Sequence, residues 1–174
     1  MTYFDELTKA MTWLGEKEDT IFIGQSVAYP GNTLFKTLSG VPIEKRLELP
    51  VAEEMQMGMS IGLSLCNKTV ISIYPRFDFL LLAVNQLVNH LDKNLYPLKG
   101  KVIIRVGIGA TKPLYPGVQH CGDYTEAFKK MTKSINVLKI NFPVQALLAY
   151  QCAYNAEYPV SSLIVEDMNL YGME

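Results

Sequence analysis

Two adjacent glutamates open a segment of the chain that is otherwise apolar. Glu53 and Glu54 stand three and four residues after Pro50, at the start of a run with helical spacing. An acidic residue in the first turn of a helix most often compensates the positive end of the helix dipole. The alternative is that one carboxyl points into an apolar pocket, where loss of water raises its pKa and suits it to proton chemistry. The residues alone leave both interpretations open.

A histidine lies in the loop rich in glycine and proline that runs from residue 107 to about residue 123. His120 stands between Gly117 and Gly122 and follows a predicted strand. Loops at the carboxyl ends of parallel strands form the ligand crevice of α/β sheets. Because histidine titrates near neutral pH, His120 is a candidate for acid–base chemistry, although a surface histidine without a role is the plainer interpretation.

Two aromatic residues begin the helix that follows another predicted strand. Phe77 and Phe79 also occupy a carboxyl end of the sheet. Such rings usually pack into the core, but a flat ring at this edge can stack on a heterocycle. The second histidine, His90, comes late in a helix with a polar face, where simple solvation is the expected outcome.

Phosphate and metal signatures are absent from the sequence. Neither GxxxxGK[ST] nor a GxGxxG turn after the first strand occurs. Two isolated histidines are too few for a typical metal site, so we expect no metal ligand on this chain. The three cysteines include no CxxC pair. This spacing argues against a disulfide framework or a zinc ribbon and favours a reducing compartment.

The composition is that of a globular protein, with 49% hydrophobic and 19% charged residues among 174. Sixteen basic and 17 acidic residues leave a formal charge of -1, without the cationic face that nucleic-acid binding needs. The N-terminus does not resemble a signal peptide, and no apolar run approaches the roughly 20 residues that span a bilayer. We expect a cytoplasmic protein in which one domain covers residues 1–174.

Helical and strand-like segments alternate along the chain. Apolar, β-branched runs predict strands, and apolar positions three and four residues apart predict helices. The predicted strands are 20–23, 46–49, 69–74, 101–106, 137–140 and 161–165, and helices are expected from about residues 3, 51, 78, 125 and 143. Asp78 and Thr125 are the expected caps of two helices. Strands separated by helices pair in parallel, so the predicted class is α/β, a three-layer α/β/α sandwich with a mostly parallel sheet of five or six strands.

The order of these segments resembles the pyrimidine-binding domain of thiamine-diphosphate-dependent enzymes. The resemblance covers essentially the whole chain and is strongest to the N-terminal half of the beta subunits of 2-oxo acid dehydrogenases. The middle domain of transketolase is a more distant match. The segments that carry it are TYFDELTKAM with FIGQSV, LPVAEEMQMGMSIG, RFDFLLLAVNQLVNHLDK, LKINFPVQALLAY and YPVSSLIVED.

The resemblance implies roles for individual residues. Glu53 matches the family's glutamate, whose carboxyl bonds a ring nitrogen of the aminopyrimidine and favours the imino tautomer that deprotonates the thiazolium. Phe79 matches the ring that stacks on the pyrimidine, and Val51 matches an apolar pocket position. His120 resembles a histidine that acts as an acid–base group or orients the substrate. Gln25 stands where the dehydrogenase relatives commonly carry an acid.

The family's diphosphate-binding motif, Gly-Asp-Gly followed by Asn, is missing from the sequence. The resemblance therefore implies a separate partner chain that holds Mg2+ and the diphosphate of thiamine diphosphate, in a heterotetramer of two plus two chains. The helix that contains Gly58 and Gly62 is the implied contact surface. The implied reaction is decarboxylation of a 2-oxo acid or cleavage of a ketose, with acyl or ketol transfer. The second domain of the dehydrogenase beta subunits has no counterpart here, which favours transfer over a complete dehydrogenase.

Two alternatives accompany this hypothesis. A relative could keep the fold and serve as a non-catalytic scaffold or regulator, since a fold does not determine a function. A generic α/β domain could instead bind a nucleotide or an acyl carrier at the loop 107–122. Such a domain would be a monomer with a complete pocket, whereas a split enzyme exposes apolar surface until its partner binds.

Overall fold

The computed structural model describes residues 2–93, 98–109, 115–157 and 160–172. Within these residues six strands form one sheet, and helices cover both of its faces. The predicted α/β class, with three layers, is confirmed.

Every neighbouring pair of strands in the sheet is parallel. The strands are β1 (Thr20–Gly24), β2 (Arg46–Glu48), β3 (Thr69–Tyr74), β4 (Lys101–Ile108), β5 (Asn136–Ile140) and β6 (Ser162–Asp167). Their order across the sheet is β2-β1-β3-β4-β6-β5. The central strands β3 and β4 are buried on both faces, as their apolar sequences predicted.

Six α-helices connect the strands together with shorter helical turns. They are α1 (Tyr3–Gly15), α2 (Thr33–Lys36), α3 (Glu53–Leu65), α4 (Phe77–Leu80), α5 (Thr125–Met131) and α6 (Pro143–Asn155). Four 3-10 turns (Ile43–Lys45, Leu81–Ala83, Val118–His120 and Met168–Gly172) and a π-helix (Gln86–Asp92) complete the described structure. None of the helices in the described ranges is long and apolar enough to cross a membrane.

One face of the sheet packs against α1 and α6. Thr2 and Asp5 form a capping box that satisfies donors at the start of α1, and Pro143 begins α6, where its missing N–H costs nothing. The core on this face contains Leu7 and Leu14 of α1, Tyr150 of α6 and apolar residues of β1, β3, β4 and β6.

The opposite face packs against α3, α4, the π-helix and α5. Its core joins Met57 of α3, Phe77 of α4 and Phe128 of α5 to the alternate residues of β4 and β6. Side chains along β4 point alternately to the two cores because successive residues of a strand face opposite sides. This layer carries the elements that hold the predicted site residues.

The structure corrects both predicted helix caps. The helix expected to begin at Asp78 has Arg76 as its N-cap, and the carboxylate of Asp78 accepts hydrogen bonds from the backbone N–H of Gly122 and the hydroxyl of Tyr124. The carboxylate of Asp78 therefore bonds these donors from a distant part of the chain instead of the free N–H groups at the start of its own helix. Thr125 is the first residue of α5 rather than its cap, which is Tyr124.

Candidate active site

The carboxyl ends of four adjacent strands bring the predicted site segments to one edge of the sheet. The chain runs from β1 outward to β2, crosses back to β3 and continues to β4, so its direction of winding reverses between β1 and β3. Such a reversal opens a crevice at the carboxyl ends of the strands. Glu53 follows β2, Phe79 follows β3 and His120 follows β4.

Glu53 is the first residue of α3, and its side chain is turned inward. The residue is 9% exposed, and its carboxylate accepts no hydrogen bond from the described residues. Its backbone carbonyl accepts a bond of 3.3 Å from the hydroxyl of Tyr74, the last residue of β3. Burial raises the pKa of Tyr74, so this hydroxyl remains a donor. Glu54 differs, because it is exposed and accepts a bond of 3.3 Å from Gln86.

The first turns of α3 are anchored to β3 by a buried polar network. The amide nitrogen of Gln56 donates to the carbonyl of Ile73 at 3.0 Å and lies 3.1 Å from the hydroxyl of Ser72. The hydroxyl of Ser60 donates to the carbonyl of Gln56 at 2.8 Å and lies 3.0 Å from the Ser72 hydroxyl. These bonds fix the depth and rotation of the helix end that carries Glu53.

The segment Gly58–Gly62 reads GMSIG and therefore matches the letters of the GxSxG nucleophile pattern. That pattern requires an exposed serine on a sharp turn from strand to helix. Ser60 instead lies inside α3, fully buried and hydrogen-bonded within the network just described. The serine is therefore a structural residue.

Phe79 and His120 are in direct contact. Their ring centroids lie 5.5 Å apart and their planes are at 85°, an edge-to-face arrangement. The Nδ1 atom of His120 is enclosed and has no hydrogen-bond partner among the described residues. Phe77 has a different role, because it is fully buried and packs against Phe128, with ring centroids 5.0 Å apart.

Sequence reasoning missed two charged residues that hold the His120 loop. Arg76 donates to the carbonyls of Gly109 and His120, and Asp78 accepts from the loop on its other side. The signal was present in the sequence as two opposite charges that alternate with the two phenylalanines just after a buried strand. Their loop partners are up to 46 positions away in the sequence, so the contacts are visible only in the fold.

The outer face of α3 is open and apolar. A Cβ placed on Gly58 or Gly62 would meet no atom within 4 Å, so close packing against the described residues does not explain the two glycines. Met55 on the same face is exposed, and Leu82, in the 3-10 turn that contacts α3, is 65% exposed. Val51, expected in an apolar pocket, is 68% exposed, so the described part of the chain does not enclose it.

The described residues contain no group of three or more potential metal ligands. Two surface hollows, of about 490 and 340 Å³, lie beside α5 and between α1 and α6. Neither is lined by Glu53, Phe79 or His120.

Comparison with known proteins identifies two related sequences, although no family model matches the chain. The chain is 26% identical over 165 residues to the protein named pyruvate dehydrogenase E1 component subunit beta of Cyanidium caldarium. The matched region covers 92% of this chain and 47% of that protein. The protein of the same name from Gracilaria tenuistipitata var. liui is 27% identical over 179 residues, covering 98% of this chain and 54% of that protein. The chain thus spans about half the length of the curated relatives it matches.

Solved structures reproduce the fold. A structure described as a split gene transketolase, inactive beta4 tetramer, superimposes with a TM-score of 0.72 at 18% identity, covering 96% of this chain and 51% of that chain. The predicted resemblance to the transketolase-like pyrimidine-binding domain is confirmed. Benzoylformate decarboxylase from Polynucleobacter necessarius superimposes with a TM-score of 0.61 at 14% identity, covering 92% of this chain and 32% of that chain.

Proposed function

We propose that the chain is the pyrimidine-binding subunit of a thiamine-diphosphate-dependent enzyme whose diphosphate-binding domain lies on a separate chain. The observation that carries this proposal is Glu53, a carboxyl that is turned inward at the ligand edge of the sheet with no partner among the described residues. The residue is mostly enclosed and its carboxylate has no partner among the described residues, so a donor group of a ligand would be its natural partner. The similarity to proteins named as beta subunits and as a split transketolase supports the proposal.

The residues of this chain suit the pyrimidine end of the cofactor. The Glu53 carboxyl would bond a ring nitrogen of the aminopyrimidine, and Phe79 would present a flat aromatic surface to the same ring. Thiamine diphosphate, when bound, supplies a thiazolium ring that stabilises a carbanion next to a former carbonyl. The described residues include no metal-ligand cluster, so Mg2+ and the diphosphate would be held by the partner.

The partner would cover the outer face of α3. Gly58 and Gly62 lie one helical turn apart and leave room for a second helix to approach closely. Burial of Met55 and Leu82 would supply apolar contact area. A two-plus-two heterotetramer is the assembly that follows, with Val51 enclosed only after the two chains meet.

His120 would act on the substrate. Its Nδ1 atom makes no hydrogen bond with the described residues, so the ring is not committed to a structural role. An imidazole can hold or move a proton near neutral pH, which suits the acid–base step that accompanies a carbonyl reaction. The substrate class is a 2-oxo acid or a ketose, and the reaction is decarboxylation or cleavage with acyl or ketol transfer.

The test compares the two adjacent glutamates in the assembled enzyme. Glu53→Gln removes the carboxyl from the ligand edge, whereas the matched control Glu54→Gln removes the same charge from an exposed position. Loss of general acid–base assistance should slow deuterium exchange at the thiazolium carbon and turnover by about 10²–10⁴-fold in Glu53→Gln, with assembly unchanged. Glu54→Gln should stay within about twofold. Wild-type exchange rates in Glu53→Gln would contradict the mechanism.

The second candidate is a non-catalytic scaffold with the same fold. The exposed position of Val51 is compatible with it, because the described part of the chain does not form the apolar pocket that the resemblance implies. Thermal unfolding of the assembled protein with thiamine diphosphate and Mg2+ distinguishes the two. A ligand at 100 times its Kd stabilises the native state by about 2.7 kcal/mol, so an unchanged melting temperature would favour the scaffold.

A further inference from the structure

The loop that carries His120 is fastened to α4 on both sides of the histidine. On one side, Nη1 of Arg76 donates to the carbonyl of Gly109 at 2.5 Å and to the carbonyl of His120 at 3.4 Å. On the other side, Asp78 accepts from the N–H of Gly122 at 3.2 Å. The second carboxylate oxygen of Asp78 accepts from the hydroxyl of Tyr124 at 3.0 Å.

We propose that Arg76 and Asp78 are positioning residues that hold the imidazole of His120 against Phe79, an inference that rests on the proposed role of His120. Both residues belong to the turn that also presents Phe79. One short segment therefore places the aromatic ring and clamps the loop that brings the histidine to it. The distance of 5.5 Å between the two rings is fixed through this shared support.

The alternative is that the two charges only stabilise α4. Asp78 lies in the first turn of that helix, where an acid would ordinarily favour the helix dipole. Its two oxygens are instead used by Gly122 and Tyr124, which lie 44 and 46 positions further along the chain. Arg76 likewise donates to the loop rather than to the helix, although burial lowers its pKa and makes its placement costly.

The hydrogen bonds of this clamp are charge-assisted, because Arg76 and Asp78 are ionised. Bonds to an ionised donor or acceptor are about twice as strong as neutral ones. The loop itself contributes a turn bond from His120 N–H to the Gly117 carbonyl and a 3.8 Å contact from Cys121 sulfur to the Gly109 carbonyl. The hydrogen bond to Asp78 raises the pKa of Tyr124, as expected for a hydroxyl that donates to a carboxylate.

The first test reads the position of the His120 ring by nuclear magnetic resonance in the full chain. The chain has two histidines, so His90 is an internal reference. Asp78→Ala should move the His120 ring-proton signals toward their positions in Phe79→Leu, where the aromatic neighbour is gone. Tyr124→Phe removes one bond and should give a smaller shift in the same direction. The control Glu126→Gln removes a charge from an exposed ion pair in α5 and should leave both histidines unchanged.

The second test uses pyruvate turnover by the assembled enzyme. Asp78→Ala should lower kcat by about ten- to a hundredfold with KM within about twofold, because a misplaced catalytic group costs rate rather than ground-state binding. In a His120→Ala background the same substitution should cause no further loss, since its effect passes through the histidine. A merely structural effect would add to the His120→Ala loss.

His120 signals that stay at their wild-type positions in a folded Asp78→Ala chain would overturn the inference. An equal additional loss in the His120→Ala background would overturn it as well. A wild-type assembly that neither binds thiamine diphosphate nor turns over pyruvate would count against the proposed function, and the resonance comparison would still decide whether Asp78 positions the ring.

Discussion

At the scale of single residues, the structure separates neighbours that look alike in sequence. Glu53 is turned inward and Glu54 is exposed, although they are adjacent. Phe77 belongs to the core, and Phe79 lies at the edge beside His120. In each pair the backbone of one helical turn points the two side chains in different directions, so only one of them reaches the crevice.

Asp19 supplies a prediction about pH. Its carboxylate accepts bonds of 2.7 Å from the hydroxyls of Thr69 and Tyr154, which tie the end of α6 to the start of β3. Burial alone would raise the pKa of Asp19, but these bonds outweigh it and hold the pKa below the ordinary 3.8. The ionised group therefore stabilises the fold above that pH, and its contribution is lost as the pH falls through the lowered pKa.

Urea unfolding of Asp19→Asn between pH 6 and about pH 2 checks this expectation. The variant should be less stable than wild type at pH 6, and the difference should shrink as the pH falls. The neighbouring Glu18→Gln, an exposed residue, should follow the wild-type curve. If the difference in stability between Asp19→Asn and wild type stayed constant across this pH range, the charge of the Asp19 carboxylate would not be its cause.

At the scale of elements, α3 faces two environments. Its inner face is bonded to β3 through Gln56 and Ser60, and its outer face carries two glycines beside which an added Cβ would meet no atom within 4 Å. Glycine inside a helix costs about 0.5–1 kcal/mol relative to alanine. In the isolated chain the two glycines therefore lower the free energy of unfolding. Close packing of another chain against this face would explain why glycine occupies both positions.

Gly58→Ala and Gly62→Ala test that explanation. Each should stabilise the isolated chain by about 0.5–1 kcal/mol, because the added methyl groups meet no neighbour. Both should weaken association with the diphosphate-binding partner, since the methyl groups occupy the space of close approach. The measurements are urea unfolding of the chain and titration calorimetry with the partner. Unchanged affinity would place the partner on another face.

At the scale of the whole molecule, a buried ion pair joins the sheet to its outer helices. Arg105 of β4 and Glu166 of β6 are fully buried, and two bonds of 2.7 and 2.8 Å link their side chains. The hydroxyl of Tyr150 in α6 donates to Glu166 at 2.5 Å, and Tyr171 near the end of the described chain also donates to it. This network locks α6 and the final turn onto the sheet.

Breaking the pair should destabilise the chain strongly. Glu166→Gln leaves the Arg105 charge buried without a counter-ion, which costs about 3–5 kcal/mol. Glu126→Gln breaks an exposed pair with Lys129 and should cost less than about 1 kcal/mol. Thermal and urea unfolding of the two variants measure both values. Similar losses would mean that water reaches the buried pair.

The sequence by itself determined the layers and the candidates. Apolar runs such as 69–74 and 101–106 predicted the central strands, because parallel strands buried on both faces need continuous apolar sequence. Helical spacing and Pro143 predicted α6. The residue types drew attention to Glu53, Glu54, Phe77, Phe79 and His120, and the resemblance to the thiamine-diphosphate family then selected Glu53, Phe79 and His120 as candidates.

Only the tertiary structure decided what these residues touch. The contact of His120 with Phe79, the clamp made by Arg76 and Asp78, and the exposure of Val51 depend on loops joined across distant strands. Asp78 could have capped its own helix, and the sequence gives no measure of the competing donors at Gly122 and Tyr124. The local sequence pattern predicts whether a segment forms a helix or a strand. The hydrogen-bond partner of a polar side chain depends instead on every donor that folding brings within reach.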